Sequence, residues 1–217
     1  MAFSLRDPVL ANIDDKALII ESIIHQYPYL LKEWEDKQDK EYRKIAKESS
    51  DGDKEVELSI YFQMRNALDI DYDLCDIFYQ SMLIMVVSYY ESMITMLSKT
   101  IKAEDSIRAI CEKRSVVLSP TAEEYVNVLE KEVMVLRNNV CHNNFGTHRN
   151  PEMICSIAKN SDEIYFENGI ISITGPTYVL NVLKMEHRIL LELAAKLGYK
   201  NKLCSNGEII ELECKFE

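Results

Sequence analysis

Three side chains in one short run could do chemistry together: Arg137, Asn138 and His142, within Leu136-Arg137-Asn138-Asn139-Val140-Cys141-His142-Asn143-Asn144. Arginine can grip a phosphate through two parallel hydrogen bonds and stabilise charge that develops in a transition state. Histidine, with an unperturbed pKa of about 6.5, can take a proton from a 2′-hydroxyl or return one to a leaving oxygen. Asparagine can orient the imidazole or donate to a phosphate oxygen. The set suits RNA cleavage without a metal. A plainer reading stands beside it, since Arg and His also complement the dipole at a helix C-terminus.

Helical spacing decides how these groups point. With Arg137 as origin and about 100° per residue, Leu129, Val133, Leu136 and Val140 fall at about 260–320°. The core therefore lies on that side and Arg137 at its edge. Asn138 falls at about 100° and His142 at about 140°, on a face turned away from the core. These two are i and i+4 neighbours, close enough to touch, and the expectation is that Arg137, Asn138 and His142 project from one polar arc at the helix end.

The motif helix starts at Ser119-Pro120-Thr121, where Ser119 or Thr121 can cap it and Thr121 with Glu124 has capping-box spacing. Before it, a long helix from near Asp73 to about Lys102 is apolar almost all round, which predicts the buried central helix. A short helix spans Ile107 to Arg114. Further upstream, Asp14 and Asp15 can cap a first helix running past Trp34, with Pro28 expected to kink or split it. Its continuation to Glu48 is densely charged and reads as solvated. Ser49 to Asp53 is a loop, and a second helix covers Glu55 to Leu68. After Gly146 the character changes: Asn168-Gly169 between two β-prone runs predicts a hairpin. A last helix follows from about Thr177 to Leu197, ended by Gly198. The tail around Asn206-Gly207 reads as a strand or second hairpin. The expectation is a single, mainly α domain in three stretches: an N-terminal helical segment at 1–68, the helical core at 69–146, and a hairpin, terminal helix and tail at 147–217.

Glu91 lies on the long helix in register with Ile84, Val87, Ile94 and Ser98. A carboxylate in a buried stripe needs a partner. Arg137 is one candidate and Arg65 another, and the alternative is that this face is exposed. His148 and Arg149, in the loop after the motif, could contact RNA. His25, His187 and the methionines Met82, Met85, Met93 and Met96 read as structural.

The chain has 217 residues, 47% hydrophobic, and a formal net charge of −11. That charge argues against coating nucleic acid by bulk electrostatics, yet leaves room for a local basic cleft. The six cysteines are scattered with no CxxC pair, and Cys141 with His142 falls short of the four ligands a zinc site needs. No metal and no cofactor are expected. No run of about 18 apolar residues and no signal peptide is visible, so the expectation is a soluble, cytoplasmic protein without a membrane partner.

The string LRNNVCHNN, closing an amphipathic helix after a long apolar one, resembles the Arg-x4-His signature of the HEPN superfamily (higher eukaryotes and prokaryotes nucleotide-binding). The resemblance covers about Asp69 to Gly146 and implies a HEPN-like helical bundle, with the hairpin and terminal helix as an extension. It implies catalytic roles for Arg137, Asn138 and His142, a supporting place for Asn143, and contact between a polar residue such as Glu91 and the motif arginine. It further implies a homodimer whose paired motifs line one cleft, cleavage to a 2′,3′-cyclic phosphate, and a toxin or anti-phage role under a regulatory or antitoxin partner. Asn144 stands where one nucleotidylated subgroup has tyrosine, so that form of silencing is in doubt. The competing expectation is a catalytically silent module that binds a nucleotide or a partner, or serves as a scaffold.

Overall fold

The computed structural model describes residues 3–67, 70–98, 106–143, 150–205 and 208–212. Helix α1 runs from Pro8 to Ser49, roughly 60 Å. It begins earlier than Asp14 and Asp15 suggest. Asp7 is the N-cap, accepting from the backbone amides of Val9 and Leu10 at 2.8 and 3.3 Å, with Pro8 at the first helical position. Asp14 and Asp15 instead pair with Arg6. Pro28 does not split the helix, which continues for five more turns as one element. Leu10, Ile13, Ala17, Ile20 and Ile24 bury the first half of α1, whereas Ala46 is its sole buried residue beyond Pro28. Charge density set that division, because a face of Glu and Lys has nothing to gain from a core.

The chain reverses through Asp51 and Gly52, both at positive φ, and α2 (Lys54–Ala67) packs back on α1. Helix α3 (Ile70–Ser98) is the central helix, touching α1 and, later in the chain, the motif helix, the hairpin and the C-terminal helix. Its Leu74–Ser98 stretch is long and apolar enough to cross a membrane by length and composition. Here it buries Leu83, Val86, Val87, Tyr89, Tyr90, Met93, Ile94 and Leu97 inside the bundle, an arrangement compatible with a soluble protein.

Helix α4 is Ile107–Arg114, capped by Ser106. Helix α5 (Pro120–Val128) is capped by Ser119, and a π turn (Leu129–Val133) joins it to α6 (Met134–Asn143). Helix α7 (Pro151–Lys159) was not expected. The strands β2 (Ile164–Glu167) and β3 (Ile170–Ile173) pair antiparallel across Asn168-Gly169, both at positive φ as a type I′ turn requires. Asp76 of α3 accepts from the Ile173 amide at 2.7 Å, fixing this hairpin to the central helix. Helix α8 (Pro176–Lys196) packs on α1, α3 and α5 and ends at Gly198, φ 94°. A small second sheet has the order β1-β4-β5, from β1 (Phe3–Leu5), β4 (Lys202–Ser205) and β5 (Glu208–Glu211). The architecture is mainly α, with a small hairpin after the motif helix and a C-terminal helix.

Candidate active site

Ala122, Val126, Leu129, Val133, Leu136 and Val140 are all buried, an unbroken alternation of threes and fours along α5, the π turn and α6. The π turn changes what that stripe faces. The Met134 amide bonds the Leu129 carbonyl, five residues back, so one residue is inserted and the later face turns by roughly 100°. Accordingly α5 packs on α8 while α6 packs on α3. This switch brings Arg137 to the central helix.

There, Arg137 Nη2 donates to Glu91 Oε1. Of the alternatives open for Glu91, the structure has this one, while Arg65 reaches the Tyr61 hydroxyl on the α1–α2 arm. Glu91 is less buried than its register implied: its side chain is 50% exposed, against 20% for Arg137. The register with Val87, Ile94 and Ser98 marks a stripe edge, so the carboxylate keeps water on one side and the guanidinium on the other. The Arg137 Nε is buried and without a hydrogen-bond partner.

Asn138 and His142 are both exposed on α6, one helical turn apart. Asn139, the neighbouring asparagine, is the opposite: buried, with its amide donating to the Val135 carbonyl at 2.8 Å. Two adjacent asparagines thus divide into one that faces solvent and one that serves the fold. Arg137 and His142 do not point the same way, since one leans on α3 and the other stands free on the outer face. The side chain of Asn143, and Asn144, His148 and Arg149 altogether, lie outside the described residues.

One residue that the sequence reading passed over belongs here. Glu186 of α8 is fully buried, and both carboxylate oxygens lack a hydrogen-bond partner. Burial pushes its pKa well above the usual carboxylate range; Glu91 acts in the same direction and Arg137 opposes it. Its signal was present in the sequence: Glu186 falls three or four residues from Val182, Leu183, Ile189 and Leu190, the stripe spacing that singled out Glu91. A cavity of about 740 Å³ between α5 and α8 is lined by Tyr125, Tyr178, Lys184 and Arg188, but by none of the motif residues. Among the described residues no three His, Cys, Asp or Glu side chains gather as metal ligands do.

Comparisons with family models, with curated proteins and with solved structures each found no match to this chain.

Proposed function

We propose that the protein is a metal-independent endoribonuclease of the HEPN type, cytoplasmic, acting as a homodimer in a toxin or anti-phage role. The observation that carries this reading is the division of labour on α6: a guanidinium anchored at the core edge by Glu91, and an exposed Asn138–His142 pair beyond it. Glu91 bonds one nitrogen of Arg137 and leaves the side chain 20% exposed, so donors of the guanidinium remain for an incoming phosphate. In the reaction, the 2′-oxygen attacks phosphorus as a base takes its proton, the bond to the 5′-oxygen breaks, and an acid protonates that leaving oxygen. His142 serves as the base or the acid, and Arg137 stabilises the charge on the phosphoryl oxygens. Asn138, one turn from His142, orients the ring.

The directions of the two side chains support the dimer. A single α6 aims Arg137 and His142 at different quarters, so a second copy that presents its own motif supplies the opposing group. A silent binding module is the second reading, and it draws on the same Glu91 pair, which already occupies part of Arg137. Incubation of purified protein with total RNA discriminates the two. Cleavage that persists in EDTA and leaves 2′,3′-cyclic phosphate ends supports the nuclease. Cleavage abolished by EDTA and restored by a divalent ion contradicts it, and RNA left intact favours the binding module.

A further inference from the structure

Two polar stripes flank the contact between α5 and α8. On α8, Asn181, Lys184 and Arg188 recur at spacings of three and four, and on α5 Thr121 and Tyr125 lie one turn apart. Packing of α5 on α8 sets these stripes around one cavity of about 740 Å³. That volume lies within the range of about 300–1,000 Å³ usual for small-molecule sites. The chain carries 36 acidic against 25 basic residues, yet this lining holds two cations and no carboxylate. Lys184 is exposed and forms no ion pair among the described residues. Two like charges one helical turn apart repel, so an anion between them is favoured.

We propose that this cavity binds a small phosphate monoester whose phosphate is carried on a flat ring. The proposal goes beyond the nuclease reading and stands without it, because no motif residue lines the cavity. Donors come from two helices: the Lys184 ammonium, the Arg188 guanidinium and the Asn181 amide from α8, and the Thr121 hydroxyl from α5. A phosphate presents three acceptor oxygens in a tripod and can meet donors arriving from several directions, where a carboxylate meets them only near one plane. Arg188 has five N–H donors, so it can serve the anion alongside another acceptor. The rest of the lining is Tyr125, Tyr178, Val182 and Met185, apolar walls with two aromatic faces against which a ring can stack.

Nearby acids fix the orientation. Tyr178 and Asn181 also line a smaller cavity of about 360 Å³, whose lining includes Glu132, Asp162 and Glu163 and no cation. Glu163 is already engaged there, accepting from the Tyr178 amide at 2.8 Å. Carboxylates repel a phosphate at that end, so the phosphate lies towards Lys184 and Arg188 and the ring towards Tyr178. Burial raises the Tyr178 hydroxyl, which keeps this wall uncharged.

The test is calorimetric binding of phenyl phosphate to the full-length protein, with inorganic phosphate and phenol as its separate parts. Phenyl phosphate should bind with a Kd below about 1 mM and at least about tenfold tighter than either part. Lys184→Ala, at an exposed position that leaves the fold intact, should weaken it about tenfold. Tyr125→Ala, checked for folding by melting, should weaken it about threefold or more and leave inorganic phosphate unchanged. A Kd above that limit, parity with inorganic phosphate, or an unchanged Kd in Lys184→Ala overturns the proposal. Competition by 2′-O-methyl oligoribonucleotides then identifies the source of the ester. Displacement by a 5′-phosphorylated strand alone assigns the site to RNA ends, displacement by neither strand assigns it to a free ester, and both results support the site. Equal displacement by 5′-phosphorylated and 5′-hydroxyl strands overturns it, since the terminal phosphate would then contribute nothing. Each outcome reads the same whether or not the protein cuts RNA, so failure of the nuclease reading is a separate result.

Discussion

Two clusters in this molecule are built from the same residue types and differ in almost everything else. On the α1–α2 arm, Arg43 Nε donates to Asp39 at 2.7 Å, its guanidinium lies 4.6 Å over the Tyr61 ring, and the Tyr61 hydroxyl donates to Asp39. Arg43 is 64% exposed. Elsewhere, Arg137 of α6 pairs with Glu91 of α3 at the surface, and Glu186 of α8 lies buried with no hydrogen-bond partner. The Tyr61 hydroxyl, followed by Arg43, holds the Asp39 carboxyl below the usual range, whereas burial holds Glu186 far above it. Hydrogen bonds favour the charge in one place and desolvation opposes it in the other. Arginine beside a carboxylate is therefore no signature of a site. The unmet hydrogen bond and the burial are what separate a solvated surface pair from a group poised to act.

The largest contrast should come from replacing each arginine by lysine. Arg137→Lys keeps the charge and loses the two-pronged geometry, so RNA cleavage should fall about 10- to 100-fold. Arg43→Lys, far from α6 in the fold, should leave cleavage unchanged. Equal losses would show that the two clusters are not functionally distinct. Initial rates on one defined RNA, with melting curves beside them, make the comparison.

A smaller effect separates their pH dependence. Folding raises the Glu186 pKa, so as pH climbs above the ordinary value of 4.5 the unfolded chain loses this proton first. Stability from this group is complete below that value and declines towards the higher folded one. Glu186→Gln should then raise Tm at pH 7 by about 3 °C or more and flatten its fall between pH 5 and 7. For Asp39 the sign reverses, because folding lowers its pKa and its contribution disappears only in acid. Water screens that exposed pair, so Asp39→Asn should shift Tm at pH 7 by less than about 1 °C. Thermal melts across pH measure both.

Local chemistry in the sequence carried much of this. Ser119-Pro120 marked the start of α5, Asn168-Gly169 the hairpin, and Gly198 the end of α8. Helical spacing placed Asn138 and His142 outward and Arg137 at the core edge. What the spacing missed has particular causes. The π turn keeps the ordinary alternation of threes and fours while its backbone slips by one residue, so nothing in composition betrays it. Strand β1 pairs with β4 from the far end of the chain, a contact that local pattern cannot carry. Asp7-Pro8 carries the cap chemistry that α1 uses, six residues before the Asp14-Asp15 pair. Glu186 was legible by the rule applied to Glu91, but the rule calls for a partner and the fold supplies no hydrogen bond to either oxygen.

One substitution addresses whether His142 carries a proton in RNA cleavage. Wild type and His142→Ala should be compared on the same RNA in EDTA, with folding matched by melting and RNA affinity measured on an uncleavable 2′-O-methyl analogue. Cleavage should fall by about 10²–10⁴-fold in His142→Ala while affinity changes little. Folded His142→Ala protein cutting at the wild-type rate would contradict it.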